Sequence, residues 1–137
     1  MFATPRTFAD SYHRVHVETG AQSGDPHKLV EMLLQGAMDA IHKARGALER
    51  QDMRVKGEQV SKAVRIVEEG LRAALDPTVG GQIAVELDQL YGYVVRKLTL
   101  ANLRNDDHAL MECVQLLAPI HEAWSSIRPL VGSGRVQ

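Results

Sequence analysis

Apolar residues recur every three or four positions in four successive stretches separated by short punctuated breaks, and this pattern limits the folds open to the chain more than any other feature. The first stripe follows Asp25-Pro26, an Asp able to accept from free N–H groups as N-cap and a Pro that loses no helical hydrogen bond at the first position. Leu29/Val30, Leu33/Leu34, Ala37, Ile41, Ala44 and Leu48 then share one helical face, which ends near Arg50. After Gln51-Asp52 a second stripe runs through Val60, Ala63/Val64, Val67, Leu71 and Ala74/Leu75 until Asp76-Pro77 stops it. Thr78-Val79-Gly80-Gly81 reads as a turn, and Ile83, Leu87, Leu90/Tyr91, Val94, Leu98 and Ala101 define a third helix. Asn105, Asp106 and Asp107 supply the next turn and cap. Leu110, Cys113, Leu117, Ile120, Trp124 and Ile127 make the fourth stripe, which Pro129 ends and which Pro119 is expected to kink.

Helices of roughly 22 residues, each about 33 Å long, joined by short loops predict an all-α protein: an antiparallel up-down-up-down four-helix bundle with an N-terminal arm or short cap helix. Residues 1–24 form the arm, 25–128 the bundle and 129–137 a flexible tail. Composition agrees, because aromatic residues at 4% are too few for the faces of a β-sandwich, while Leu, Ala, Val and Met suit helices.

The charge balance and the cysteine count narrow the function. Sixteen Lys and Arg against seventeen Asp and Glu give a net charge of −1 and no electrostatic reason to bind nucleic acid. Cys113 has no second cysteine to pair with, so packing must hold the fold. No stretch approaches the roughly 20 apolar residues of a membrane span. A soluble, cytoplasmic protein without membrane insertion is expected.

The residue patterns for bond-making chemistry are incomplete. A di-iron bundle needs Glu and His at i, i+3 on two helices; Asp39 and His42 have that spacing but lack a second such pair, and a polar helix face explains both. His13, His16 and His27 read as solvated residues near the arm, and Cys113 as a small buried hydrophobe. No serine sits in a nucleophile elbow, and Gly80-Gly81 is no phosphate loop. The expectation is no enzyme, no metal and no cofactor; the alternative is a helical-bundle enzyme or metal carrier of unknown substrate.

One feature exceeds the needs of a single core. Tyr93, Leu100 and Leu103 form a second apolar line on the third helix, and Ile66 lies beside the main stripe of the second. Together they line a candidate groove, with Asn102 placed to set register by a hydrogen bond; a wider core face or a homodimer seam fits the same residues. Phe8, Tyr12 and Val15, at i, i+4 and i+7 in the arm, would present one face as a short helix and are the candidate lid over that groove.

The order and spacing of several motifs resemble the flagellar secretion chaperone family FliS over about residues 12 to 127. The resemblance rests on Tyr12 with Val15, Val17 and Thr19; on Asp25-Pro26-His27-Lys28-Leu29-Val30, Met32-Leu33 and Gly36-Ala37; and on Lys62-Ala63, Ile66-Val67, Leu71 and Leu75-Asp76. Its most specific stretch is Gly80-Gly81-Gln82-Ile83-Ala84, then Leu87, Leu90-Tyr91, Leu98 and Ala101-Asn102-Leu103, and Glu122-Ala123-Trp124 closes it. The chain departs from the family at Leu33-Leu34-Gln35-Gly36, where Leu-Tyr-Asp-Gly is usual, and at Pro77 and Pro119. The resemblance implies a non-enzymatic export chaperone that binds the disordered C-terminal segment of flagellin in hydrophobic grooves, prevents premature polymerisation and assists flagellar type III secretion. It also implies docking at the flagellar export apparatus, and it supports Tyr12 as anchor of the arm. Weak self-association of the free protein is a further partner state open to the chain.

Overall fold

The structure, a computed structural model, describes residues 25–136, with side chains described as far as Ile127. The arm residues Phe8, Tyr12 and Val15, and with them His13 and His16, lie outside the described residues. Among the described residues the chain forms four helices and no strand: α1 Pro26–Glu49, α2 Met53–Arg65 continuing as a π-helical segment Ile66–Arg72, α3 Pro77–Arg104 and α4 Asp107–Val136.

Local chemistry sets the boundaries. Asp25 caps α1 by accepting from the Lys28 amide at 3.1 Å, with Pro26 as the first helical residue. Asp52 does the same for α2 through the Val55 amide, after Gln51 turns the chain with a positive φ of 61°. Asn105 ends α3 in the left-handed region, φ 54°, and Asp106 accepts from the Ala109 amide at the start of α4.

Three boundaries differ from expectation. Asp76-Pro77 stops α2, but it also starts α3: Asp76 accepts from the Thr78 amide at 3.0 Å and from its hydroxyl at 2.6 Å. The turn expected at residues 78–81 is therefore the first turn of α3, and Gly81 (φ 58°, ψ −132°) breaks its direction in a conformation open essentially to glycine alone. The fourth helix does not stop at Pro129; it runs on to Val136 and passes through Pro119 as well. The second helix widens its turn over Ile66–Arg72, where the Ala73 amide reaches back five residues to the Glu68 carbonyl at 3.2 Å.

Each helix packs against its chain neighbours, and α4 closes the ring against α1. Cross-helix pairs show the directions. His27 stacks on Trp124 while Arg45 bonds Asp107, and Lys56 reaches Asn102 while Arg72 reaches Asp88, so α1 with α4, and α2 with α3, run in opposite senses. The core is aliphatic and small-residue rich: Leu34, Ile41, Val60, Ile66, Leu98, Leu110 and Leu117 fill it, with Ala37, Ala44, Ala63 and Ala101 allowing close approach. Gly70 contributes to that approach, since a Cβ there would meet the Leu33 methyl groups at 3.2 Å.

Candidate functional site

The exposed apolar surface collects on α3 in two places. Nearer its N-terminus, the first turn of α1, the end of the π segment, α3 and α4 enclose a cavity of about 450 Å³. Its walls are mostly carbon: Val30, Leu71, Leu75, Leu87 and Ile120 line it, with Tyr91 and Trp124 as its aromatic members. Val79 and Ile83, 85% and 68% exposed, stand at the same cavity on either side of the Gly81 break. Burial pushes the Tyr91 phenol up to about 12, so this hydroxyl stays protonated, one of the few polar groups among the cavity's lining residues.

Trp124 is held to α1 at the rim. Its indole Nε1 donates to the His27 carbonyl at 2.9 Å, and its ring lies nearly parallel to the His27 imidazole, with centroids 4.8 Å apart. One residue on, the Ser125 hydroxyl donates to Glu31 at 2.9 Å, so α1 and α4 are tied together beside the cavity.

Farther along α3 lies the second apolar line foreseen from the sequence. Tyr93 and Leu100 are partly exposed and Leu103 is 77% exposed. The Tyr93 hydroxyl donates to Glu112 on α4 at 2.6 Å, and Lys97 stands 3.4 Å from the same carboxylate. That hydrogen bond, aided by the Lys97 charge, holds the Glu112 carboxyl below the usual carboxylate range.

Two of the expected groove residues belong elsewhere in this molecule. Ile66 is 0% exposed and sits in the core. The reason is that α2 packs against both α1 and α3: Ala63, Ile66, Val67, Gly70 and Leu71, at i, i+3, i+4, i+7 and i+8, form one wide buried face. Asn102 is half-buried and engaged, its Oδ1 accepting from the buried Lys56 ammonium at 2.7 Å and its carbonyl from the same group at 2.9 Å. It links α2 to α3.

The residues tested for chemistry find ordinary partners. Asp39 accepts from Gln35 at 2.9 Å, while His42 lines a recess of about 570 Å³ alongside the Arg45–Asp107 ion pair. Cys113 is buried, 3.8 Å from the Val94 carbonyl, and burial pushes its thiol up to about 12. Among the described residues no three His, Cys, Asp or Glu side chains are grouped to hold a metal ion, and no helix is long and apolar enough to cross a membrane.

The cavity was the part of the site that sequence reasoning missed. Its signal was Asp76-Pro77, the same pair that starts α1; reading it as a second start places Val79 on a helix beside Ile83 rather than in a turn.

The class this defines is an all-α bundle that leaves apolar surface uncovered, a cavity at one end of α3 and an exposed line at the other. Sequence comparison gives the particular family. The family described as flagellar protein FliS matches residues 8–131. A flagellar secretion chaperone FliS of Salmonella typhimurium is 48% identical over 119 residues, covering 87% of this chain and 88% of the relative. Flagellar secretion chaperone FliSB of Pseudomonas aeruginosa is 39% identical, over 85% of this chain and 91% of its own length, and FliS of Vibrio cholerae 36% identical, over 87% of each. The chain belongs to the FliS family of flagellar secretion chaperones.

Proposed function

We propose that the chain is a cytoplasmic, non-enzymatic export chaperone that holds the disordered C-terminal segment of flagellin as helices against α3 and hands it to the flagellar export apparatus. The observation that carries this reading is the exposed apolar surface of α3, from Val79 and Ile83 at the cavity to Leu100 and Leu103 near its C-terminus. A segment destined for a filament core has an apolar face that would associate prematurely, and a groove of this kind covers it reversibly. Ordering the segment opposes binding, so affinity has to come from a long wrapped contact, which an apolar surface spread along α3 offers.

The arm is the lid of this reading. Pro26 and His27, close after the arm in sequence, line the cavity. Phe8, Tyr12 and Val15 cover apolar surface until flagellin displaces them, and Tyr12 is the anchor because its ring buries while its hydroxyl stays wet. Titration calorimetry with the flagellin C-terminal segment tests the reading: binding with a clearly negative heat-capacity change is expected, and no binding at micromolar concentrations refutes it. A chain starting near Gly20 should bind more tightly and self-associate more. Weaker binding by a folded truncation refutes the lid.

A further inference from the structure

His27 carries the strongest unexplained polar feature of the molecule. Both of its ring nitrogens are sealed from solvent, and neither meets a hydrogen-bond partner among the described residues. In every protonation state each of these nitrogens is a donor or an acceptor, so leaving both unmet opposes folding. The ring is not loose, because Trp124 stacks on it and ties down its carbonyl. It stands in the wall of the apolar cavity, beside Pro26 and Val30 of its own helix and Trp124 and Ile120 of α4. Stacking alone needs no nitrogen; a Phe would serve it. Since both nitrogens are sealed here, a partner reaches them only in a state that opens this part of the wall, and such a state gives the imidazole its use.

We infer that His27 is the polar anchor of the cavity, a residue that sets the register of the bound helix. This rests on the reading that a flagellin segment docks here, and it adds what that segment must carry: apolar side chains for the carbon walls, and one hydrogen-bonding side chain of the Ser, Thr, Asn or Gln type directed at the imidazole. An apolar groove by itself tolerates sliding of a helix by one turn. A single buried hydrogen bond does not, because every slipped register leaves the imidazole and the incoming polar group both unmet. The cost that His27 imposes on the free protein thereby becomes discrimination in the complex.

The test replaces His27 with Phe, which retains a ring against Trp124 and removes both nitrogens. The full chain and His27→Phe are each titrated with the flagellin C-terminal segment and with segments in which its polar residues are changed singly to Ala. His27→Phe is expected to leave the melting temperature of the free protein unchanged or higher and to weaken binding at least tenfold. One polar position of the segment should lose its effect in the variant. Equal binding by the two proteins overturns the inference while leaving the docking reading intact, whereas no binding by the parent chain overturns both. Should His27→Phe lower the melting temperature, the 15N resonances of the His27 imidazole in the parent protein decide: they must shift on adding the segment, and unmoved resonances in a saturated complex overturn the inference.

Discussion

Asn102→Ala separates a groove residue from a structural link, and the outcome can be derived from Lys56. This lysine is 7% exposed, and its ammonium is met by the Asn102 side chain at 2.7 Å and the Asn102 carbonyl at 2.9 Å. Truncation removes the shorter contact and leaves a buried charge with the carbonyl alone. A hydrogen bond to a charged group contributes about 1.5 to 3 kcal/mol, and an acceptor lost from a buried donor costs the upper part of that range. At roughly 3 to 5 °C per kcal/mol for a chain of this size, the melting temperature should fall by about 5 to 15 °C. Lys56→Met removes the charge together with its need for acceptors, so Asn102→Ala should cost far less in that background. Thermal and urea unfolding of the four proteins in this cycle make the measurement. If Asn102→Ala leaves stability unchanged and lowers only flagellin binding, the link is not what holds Asn102, and the groove assignment regains it.

The remaining predictions follow from burial and charge. Ile66→Ala, in the core, should destabilise by about 2 to 5 kcal/mol, while Leu103→Ala, 77% exposed, should stay within about 0.5 kcal/mol of the parent in urea unfolding and weaken flagellin binding instead. Hydrogen bonds from Arg72 and Arg45 hold the carboxyls of Asp88 and Asp107 below their ordinary range; depressed folded-state values mean that their contribution is present above the unfolded carboxylate range and is lost as pH falls through the folded values. Urea midpoints measured from pH 7 downward should therefore fall less steeply in Asp88→Asn and Asp107→Asn. Cys113, its thiol pushed up to about 12, should resist alkylation at pH 8 in the native protein and react at once in urea. Since its folded value is raised, its contribution is complete below the unfolded thiol range and is lost as pH rises through the folded one.

The bundle was legible because the signals that make helices are local. Asp25, Asp52 and Asp106 cap with their own side chains, and stripes such as Leu34, Ala37, Ile41 and Ala44 repeat at helical spacing regardless of what they face. The π segment was not legible. Val60, Val67 and Leu71 fit an ordinary helical period, and only the packing of Gly70 on Leu33 and the wide face from Ala63 to Leu71 place those turns. The helix across Pro119 and Pro129 shows the converse case, in which a strong local breaker does not end the element it interrupts.

For the site, the difficulty is that a stripe names a face without saying how much of it is covered. Ile83 belongs to the same line as Leu87, Tyr91, Val94 and Leu98, yet Leu98 is sealed and Ile83 stands open, because α3 extends past the point where its neighbours cover it. Spacing on α3 cannot reveal that change; it depends on where α2 ends, at Arg72, and on the Gly81 break that sets the first turn of α3 at its own angle. The outer line was readable for the opposite reason. Tyr93, Leu100 and Leu103 lie off the core stripe, so their exposure follows from a bundle of any length. The two apolar regions therefore differ in origin. One is an apolar line added to the outside of a helix, and the other is core stripe left uncovered at the end of the bundle.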